Sequence, residues 1–300
     1  MVSFKDVSVV IPAYNEEESI ATIIERIWAV SPDFEIVVCS DGSSDATAAR
    51  AREAGAIVVE HRYNIGNGAS VKTGAMASSR PYLLFMDSDG QHPPEDIPKL
   101  LDGLPDYDMI IGSRTKRCKT DAVRDIGNIM LRKVAEIIGG QPIMDLTSGF
   151  RAVRRDLFFL FSPLYPLRYS YPSTITLALI NTGHFVKFLP LDSIVRREVG
   201  KSNIHPFKDG LRFLKIIFRL FMLFRPFKIF FPIALALFVF GAILGLYQLV
   251  NFQAVHSVSV ILLLGSLFFF VNGLLAEQIS QIRLSILNQP DPKASRDTRV

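Results

Sequence analysis

Three hundred residues, 49% of them hydrophobic, can bury one large core or two modest ones. The net charge is only +4, and its Lys and Arg gather just ahead of a long apolar run, a distribution that argues against a nucleic-acid binder. Two cysteines, Cys39 in an apolar run and Cys118 in a polar loop, exclude a disulfide framework and a cysteine metal site and suit a reducing compartment.

Met1 to about Pro206 reads as an α/β head in which apolar runs alternate with polar turns. Val7 to Ile11 is an apolar run, broken only by Ser8 and stopped by Pro12, as expected of a strand buried on both faces. Asn15 reads as a helix cap, with Glu18 three residues later and Ile20, Ile23, Ile24 and Ile27 spaced as one buried helical face. Ile36 to Cys39 is a second strand, followed by SDGSSD and an Ala-rich helix that stops at Gly55. A third strand, Ile57 to Glu60, leads into RYNIGNGASVKTG, where Gly66 and Gly68 open a helix carrying Lys72. Tyr82 to Met86 is the fourth strand, Asp96 to Leu104 a helix, and Met109 to Ile111 the fifth strand, which runs into GSR. This alternation predicts a mainly parallel sheet flanked by helices. Beyond it, Val123 to Ile138 reads as a helix, DLTSGFRAVRR as a small, polar and basic loop, Tyr171 to Asn181 as a helix, and Phe185 to Val195 as an extended return.

The remainder of the chain reads as membrane-bound. Over 207–228, Lys208, Arg212, Lys215 and Arg219 form a basic helical stripe beside an apolar one of Phe207, Leu211, Leu214, Phe218 and Phe221, the pattern of an interfacial helix. A hairpin over 229–287 follows, with spans at about 229–250 and 257–276, each able to cross a hydrocarbon layer of roughly 30 Å. NFQAVH between them lacks Lys and Arg, whereas Arg225, Lys228 and Arg283 flank the pair, so both termini and the head are expected to be cytoplasmic. The opening residues lack the basic, apolar and small-residue order of a signal peptide, in keeping with that orientation. Residues 288–300 read as a polar, disordered tail.

The chemistry concentrates in DSDGQ. In an extended strand alternate side chains share a face, so Asp87 and Asp89 are expected to project together where the fourth strand ends, the edge at which open α/β sheets bind ligands. Paired carboxylates suit a hard divalent cation with positions left open for phosphates. His92, beside Pro93 and Pro94, reads as a packing residue rather than a ligand, and Asp45 as a helix cap.

PAYNEE, SDGSSD, GNGASVK, DSDGQ and GSR, in this order, resemble the loops of family 2 glycosyltransferases with the GT-A fold, a Rossmann-like nucleotide-sugar-binding sheet. With the SGF loop, RREVGKS and the C-terminal hairpin, the likeness narrows to polyprenyl-phosphate glycosyltransferases of the dolichol-phosphate mannose synthase group. The resemblance implies that Pro12, Ala13, Tyr14, Glu16, Asp41 and Asp87 bind the nucleotide, and that Asp87, Asp89 and Gln91 hold Mg2+ or Mn2+ at its diphosphate. It places Arg114, Ser148, Arg151, Arg197 and Ser202 around the acceptor phosphate and the sugar, with Asp145 nearby, and counts Asp89, Arg114, Asp145 and Arg197 as catalytic. Three positions depart from the pattern: Ser40 stands for an acidic residue, while Asn67 and Asn203 each stand for a lysine. Lys72 is one candidate to replace the missing charge, and Arg154 and Arg196 are further candidates beside Arg151.

The reaction so implied is metal-dependent, inverting transfer of a sugar from a UDP- or GDP-linked donor to a polyprenyl or dolichyl phosphate at the cytoplasmic face. Such an acceptor is already an anion and needs no proton removed. A hydroxyl acceptor such as diacylglycerol would need a general base, for which Asp145 is the candidate. A non-catalytic membrane scaffold is the reading from another class, and a two-helix anchor is compatible with a homo-oligomer. A processive synthase is disfavoured, since Trp28 is the only tryptophan and no Gln-x-x-Arg-Trp motif is present.

Overall fold

The computed structural model describes residues 2–114, 122–168, 171–192, 206–254 and 256–287. Cys118, Arg196, Arg197, Ser202, Asn203 and the 288–300 tail lie outside them. The chain divides into two compact units, Met1–Leu211 and Arg212–Val300.

The first unit is built on seven strands: β1 (Val7–Ala13), β2 (Glu35–Ser40), β3 (Ile57–Glu60), β4 (Tyr82–Phe85), β5 (Met109–Arg114), β6 (Arg151–Arg154) and β7 (Val186–Leu191). Their order is β3-β2-β1-β4-β6-β5-β7. Neighbours are parallel except around β6, which runs antiparallel to both β4 and β5. Every residue of β1 is buried, which explains its mainly apolar sequence in the interior of a sheet covered on both faces; its one hydroxyl, Ser8, is bonded to Glu35.

Helices α1 (Ile20–Val30), α2 (Thr47–Glu53), α3 (Asn67–Ala77), α4 (Ile97–Asp102), α5 (Ala122–Gly139), α6 (Arg155–Phe161) and α7 (Tyr171–Asn181) belong to this unit. The anticipated face of α1, Ile20, Ile23, Ile24 and Ile27, is buried with Val7, Val9 and Ile11 of β1 in one core cluster. Each such isoleucine contributes about 1.5–3 kcal/mol.

Three local expectations are corrected. Asn15 does not cap α1: it adopts a left-handed conformation at φ 53°, and its side chain accepts from the Ser44 amide at 2.9 Å, so the helix begins five residues later. The stretch read as a polar loop contains β6, placed between two strands in the interior of the sheet. β4 ends at Phe85 while β5 runs on through Arg114, so GSR is the end of a strand and DSDGQ is wholly loop.

The second unit contains most of α8 (Pro206–Phe224), with α9 (Phe227–Phe252) and α10 (Ser257–Leu287). In α8, Leu220, Leu223 and Phe224 are buried, while Phe218 is exposed on a helix that also exposes Lys215 and Arg219. Both α9 and α10 are long and apolar enough to cross a membrane, and α10 extends well past the expected span. Their buried residues are small or polar and recur every seven positions: Ala234, Gly241 and Gln248 on α9, Ser259, Ser266, Gly273 and Ser280 on α10. Near the turn, Gln248 accepts from the Ser259 hydroxyl at 2.8 Å and from the His256 amide at 2.9 Å. At the other end Ser280 donates to the Leu223 carbonyl at 2.5 Å, and Glu277 accepts from the Phe227 amide at 3.1 Å, fixing the α8–α9 corner to α10.

Candidate active site

The carboxyl ends of β1, β2 and β4 open into one cleft of about 360 Å3. Its walls come from Pro12, Ala13, Tyr14 and Glu16 after β1, Asp41 after β2, and Asn64, Gly66, Asn67 and Ser70 at the entrance to α3. Asp87, Ser88 and Asp89 after β4 and Arg168 between α6 and α7 complete the lining. Six residues expected at the nucleotide, Pro12, Ala13, Tyr14, Glu16, Asp41 and Asp87, therefore share one cavity with Asp89. Tyr14 is 49% exposed and presents an open ring face, whereas Asp41 is only 3% exposed.

Side chains tie these loops together. Asn15 and Glu16 donate their amides to the Ser43 and Thr47 hydroxyls at 3.1 and 2.8 Å. Asp45 accepts from the Thr47 amide at 3.0 Å at the start of α2, acting on the helix end rather than in the cleft. Ser19 donates to the Ser88 carbonyl at 2.7 Å, joining the β1 and β4 exits. Asp41 accepts from the Ile65 and Gly66 amides at 3.0 and 2.7 Å and pairs with His61 Nδ1 at 2.7 Å. His61 Nε2 in turn meets the Thr73 hydroxyl at 2.9 Å. With the Nδ1 proton directed at Asp41, His61 accepts from Thr73, and the imidazole becomes a strut holding the carboxylate. Ser40, 2% exposed and bonded to Ser43 at 2.9 Å, lies behind the cleft lining. Lys72 is likewise absent from that lining.

Asp87 and Asp89 meet in the cleft through the geometry of the loop, since β4 has already ended. Gln91 braces Asp89, donating its amide to Oδ1 at 3.1 Å and its side-chain nitrogen to Oδ2 at 2.8 Å. His92 is buried, stacks on Phe150 with ring centroids 5.1 Å apart, and accepts from the Asp87 amide through Nδ1 at 3.2 Å. Beside it Gly149 lies so close to Asp87 that a Cβ there would come within 2.5 Å of Oδ2. Among the described residues no three His, Cys, Asp or Glu side chains converge as a closed metal site. Gln91 is absent from the cleft lining, where the two carboxylates of Asp87 and Asp89 on one open wall suit a hard cation that shares its coordination with a ligand.

At the end of β5, Arg114 and Asp145 form a two-pronged ion pair, Nε to Oδ2 at 2.9 Å and Nη2 to Oδ1 at 3.3 Å. Asp145 also accepts from the Thr147 and Ser148 amides at 3.0 and 3.1 Å, and Thr147 accepts from Arg114 at 2.9 Å. Burial alone would raise the Asp145 pKa, but Arg114 and the Thr147 hydrogen bonds override it and hold the carboxyl below its ordinary value. Asp145 is thus a stably ionised, saturated carboxylate and a poor proton acceptor.

Two residues expected at the acceptor make their bonds inside the fold. Ser148 is buried and spends its one hydroxyl proton on the Gly112 carbonyl at 2.6 Å, leaving no donor for a phosphate. Arg151 is completely buried, donating to the Ser148 carbonyl, to the Pro172 carbonyl at 2.9 Å and to Thr176 at 3.2 Å, with its guanidinium 5.8 Å from the Tyr171 ring centre. It holds the SGF loop from beneath and cannot reach a ligand in solvent. Arg154, on the same strand, pairs with Asp156 at 2.6 Å. Arg168, Asn64 and Ser70 were not anticipated; Arg168 stands in a loop with no motif, and its signal is indirect, two glycines whose missing side chains make room for that loop.

Residues 8–159 match the model of glycosyl transferase family 2, and residues 225–282 match the GtrB C-terminal hairpin. A dolichyl-phosphate hexose transferase of Haloferax volcanii is 32% identical over 215 residues, covering 69% of this chain and 90% of that protein. The polyprenol monophosphomannose synthase of Mycolicibacterium smegmatis is 32% identical over 65% of this chain and 80% of its own length. Among solved structures, glucosyl-3-phosphoglycerate synthase from Mycobacterium tuberculosis, in complex with Mn2+, UDP and glucosyl-3-phosphoglycerate, shares the fold with a TM-score of 0.58 at 22% identity, over 72% of this chain and 78% of that one.

Proposed function

This chain belongs to glycosyl transferase family 2 and is a glycosyltransferase, and from that premise we propose that it transfers a sugar from a UDP- or GDP-linked donor to a polyprenyl phosphate, with inversion, at the cytoplasmic face of a membrane. The observation that carries the donor half is the convergence of Tyr14, Glu16, Asp41, Asp87 and Asp89 on one cleft at the carboxyl ends of parallel strands. Tyr14 offers a flat face to the base and Glu16 an acceptor to a ribose hydroxyl. Asp87 and Asp89, with Gln91, would hold Mg2+ or Mn2+. A divalent ion so held would offset the charge of the departing nucleoside diphosphate.

The acceptor half rests on the relatives' substrates and on Asp145. A lipid phosphate reaches the site as an anion and requires no base, and Asp145, ionised and fully hydrogen-bonded, is poorly suited to serve as one. That chemistry favours a phosphate over the hydroxyl of diacylglycerol. Arg114 is the described cation assigned to the acceptor phosphate, with Arg197 and Ser202 as further contacts; guanidinium forks suit phosphate oxygens. The exposed Phe218, Lys215 and Arg219 of α8 suit an anionic membrane surface, and the cations flanking α9 and α10 support a cytoplasmic head.

The test is product analysis by mass spectrometry, with full-length protein, UDP- and GDP-sugars, a short polyprenyl phosphate and diacylglycerol. A polyprenyl sugar monophosphate is expected, and exclusive glycosylation of diacylglycerol would overturn the acceptor assignment. Asp89→Ala should cut turnover by roughly a thousandfold, several kcal/mol of lost charge stabilisation. It should also abolish any enhancement of UDP or GDP binding by Mn2+ in calorimetry.

A further inference from the structure

A glycine-rich turn opening a helix is usually an anion cradle, because the first amides of the helix point outward unsatisfied. Around the start of α3 most of those amides are spent within the protein. Ile65 and Gly66 donate to Asp41, Gly68 donates to the Arg168 carbonyl at 3.1 Å, and Ala69 donates to the Leu167 carbonyl at 2.7 Å. The approach is so close that a Cβ on Gly68 would fall 2.0 Å from the Pro166 carbonyl and one on Gly66 would fall 2.7 Å from Arg168 Cγ. The loop that closes the cradle thereby brings Arg168 to the cleft. Arg168 is exposed, and it is the one positively charged side chain among the described lining residues, which include the carboxylates of Glu16, Asp41, Asp87 and Asp89.

We infer that Arg168 supplies the phosphate-directed charge of the donor site, binding the diphosphate of the nucleotide sugar at a helix start whose amides are mostly engaged already. This rests on the nucleotide-sugar reading above. The loop's structural work is done by its carbonyls and the ligand's by its guanidinium, so the two can be separated by substitution.

The test is binding of UDP and GDP, and of uridine and guanosine, to full-length wild type, Arg168→Gln and Arg168→Gln/Asn67→Lys. Losing a charge-assisted hydrogen bond should weaken the favoured diphosphate roughly tenfold to a hundredfold in Arg168→Gln, leaving its nucleoside unchanged. A lysine at position 67, on the same wall, should restore most of the loss. Equal weakening of nucleoside and diphosphate would mean that Arg168 only supports the loop, and unchanged diphosphate binding would remove it from the site; either overturns this inference alone. If wild type binds neither UDP nor GDP with Mn2+ present, the donor reading fails, and this inference with it.

Discussion

The exits of β4 and β5 lie on the two sides of the SGF loop and are charged in different ways. After β4, Asp87 leaves two-fifths of its side chain exposed and has Gly149 for a neighbour. After β5, Arg114 is already matched by Asp145, which is itself saturated by Thr147 and Ser148. One exit is arranged to take up positive charge, the other has its charge balanced in advance. On the proposed reading, the donor side recruits its cation with the ligand, while the acceptor side uses a guanidinium held rigid by a permanent partner.

The wedge between the exits is the place to break this arrangement. Gly149→Ala is permitted by the backbone, but its methyl would strike the Asp87 carboxylate. On the proposed reading Asp87 is a cation ligand, and displacing it by even a fraction of an ångström should lower kcat about a hundredfold while the Arg114–Asp145 pair is untouched; turnover at saturating donor measures it. Asp145→Asn attacks the balanced side. Leaving Arg114 without its carboxylate should destabilise the protein by about 2 kcal/mol at neutral pH, read as a lower melting temperature in detergent. The Asp145 pKa is lower in the folded protein than its unfolded value of about 3.9, so the stabilisation is complete above that value. It is lost as pH falls through the folded pKa, so wild type and variant should converge only in strong acid. The smallest effect is expected at the far end of the cleft. His61→Leu removes the strut on Asp41 yet leaves the Ile65 and Gly66 amides, so donor KM should rise about tenfold or less with kcat nearly unchanged.

Much of this arrangement could be read before any coordinates. Apolar runs marked β1 to β5, the interior strands because cover on both faces calls for mostly apolar residues, and the isoleucine spacing marked the buried face of α1. The polar segments at the ends of β1, β2 and β4 hold most of the residues that line the cleft. β6 escaped notice because Arg-Ala-Val-Arg resembles a surface segment; its burial depends on carbonyls of Ser148 and Pro172, which only the assembled tertiary structure brings together. The bond from Ser148 to the Gly112 carbonyl is hidden for a related reason, since a motif identifies a hydroxyl but not where its proton goes. Arg168 was invisible because its position follows from main-chain pairing across about a hundred residues, not from its own neighbours.

The hairpin carries a consequence of handedness. Its buried positions recur every seven residues on both α9 and α10, whereas an unbent helix returns to the same azimuth only after a little more than seven, a drift of about 20° per repeat. Keeping both seams face to face therefore obliges the two helices to wind around each other with a left-handed twist. The outward Phe and Leu surface turns with them, so a third helix following the groove, from another copy or another protein, would have to share that hand.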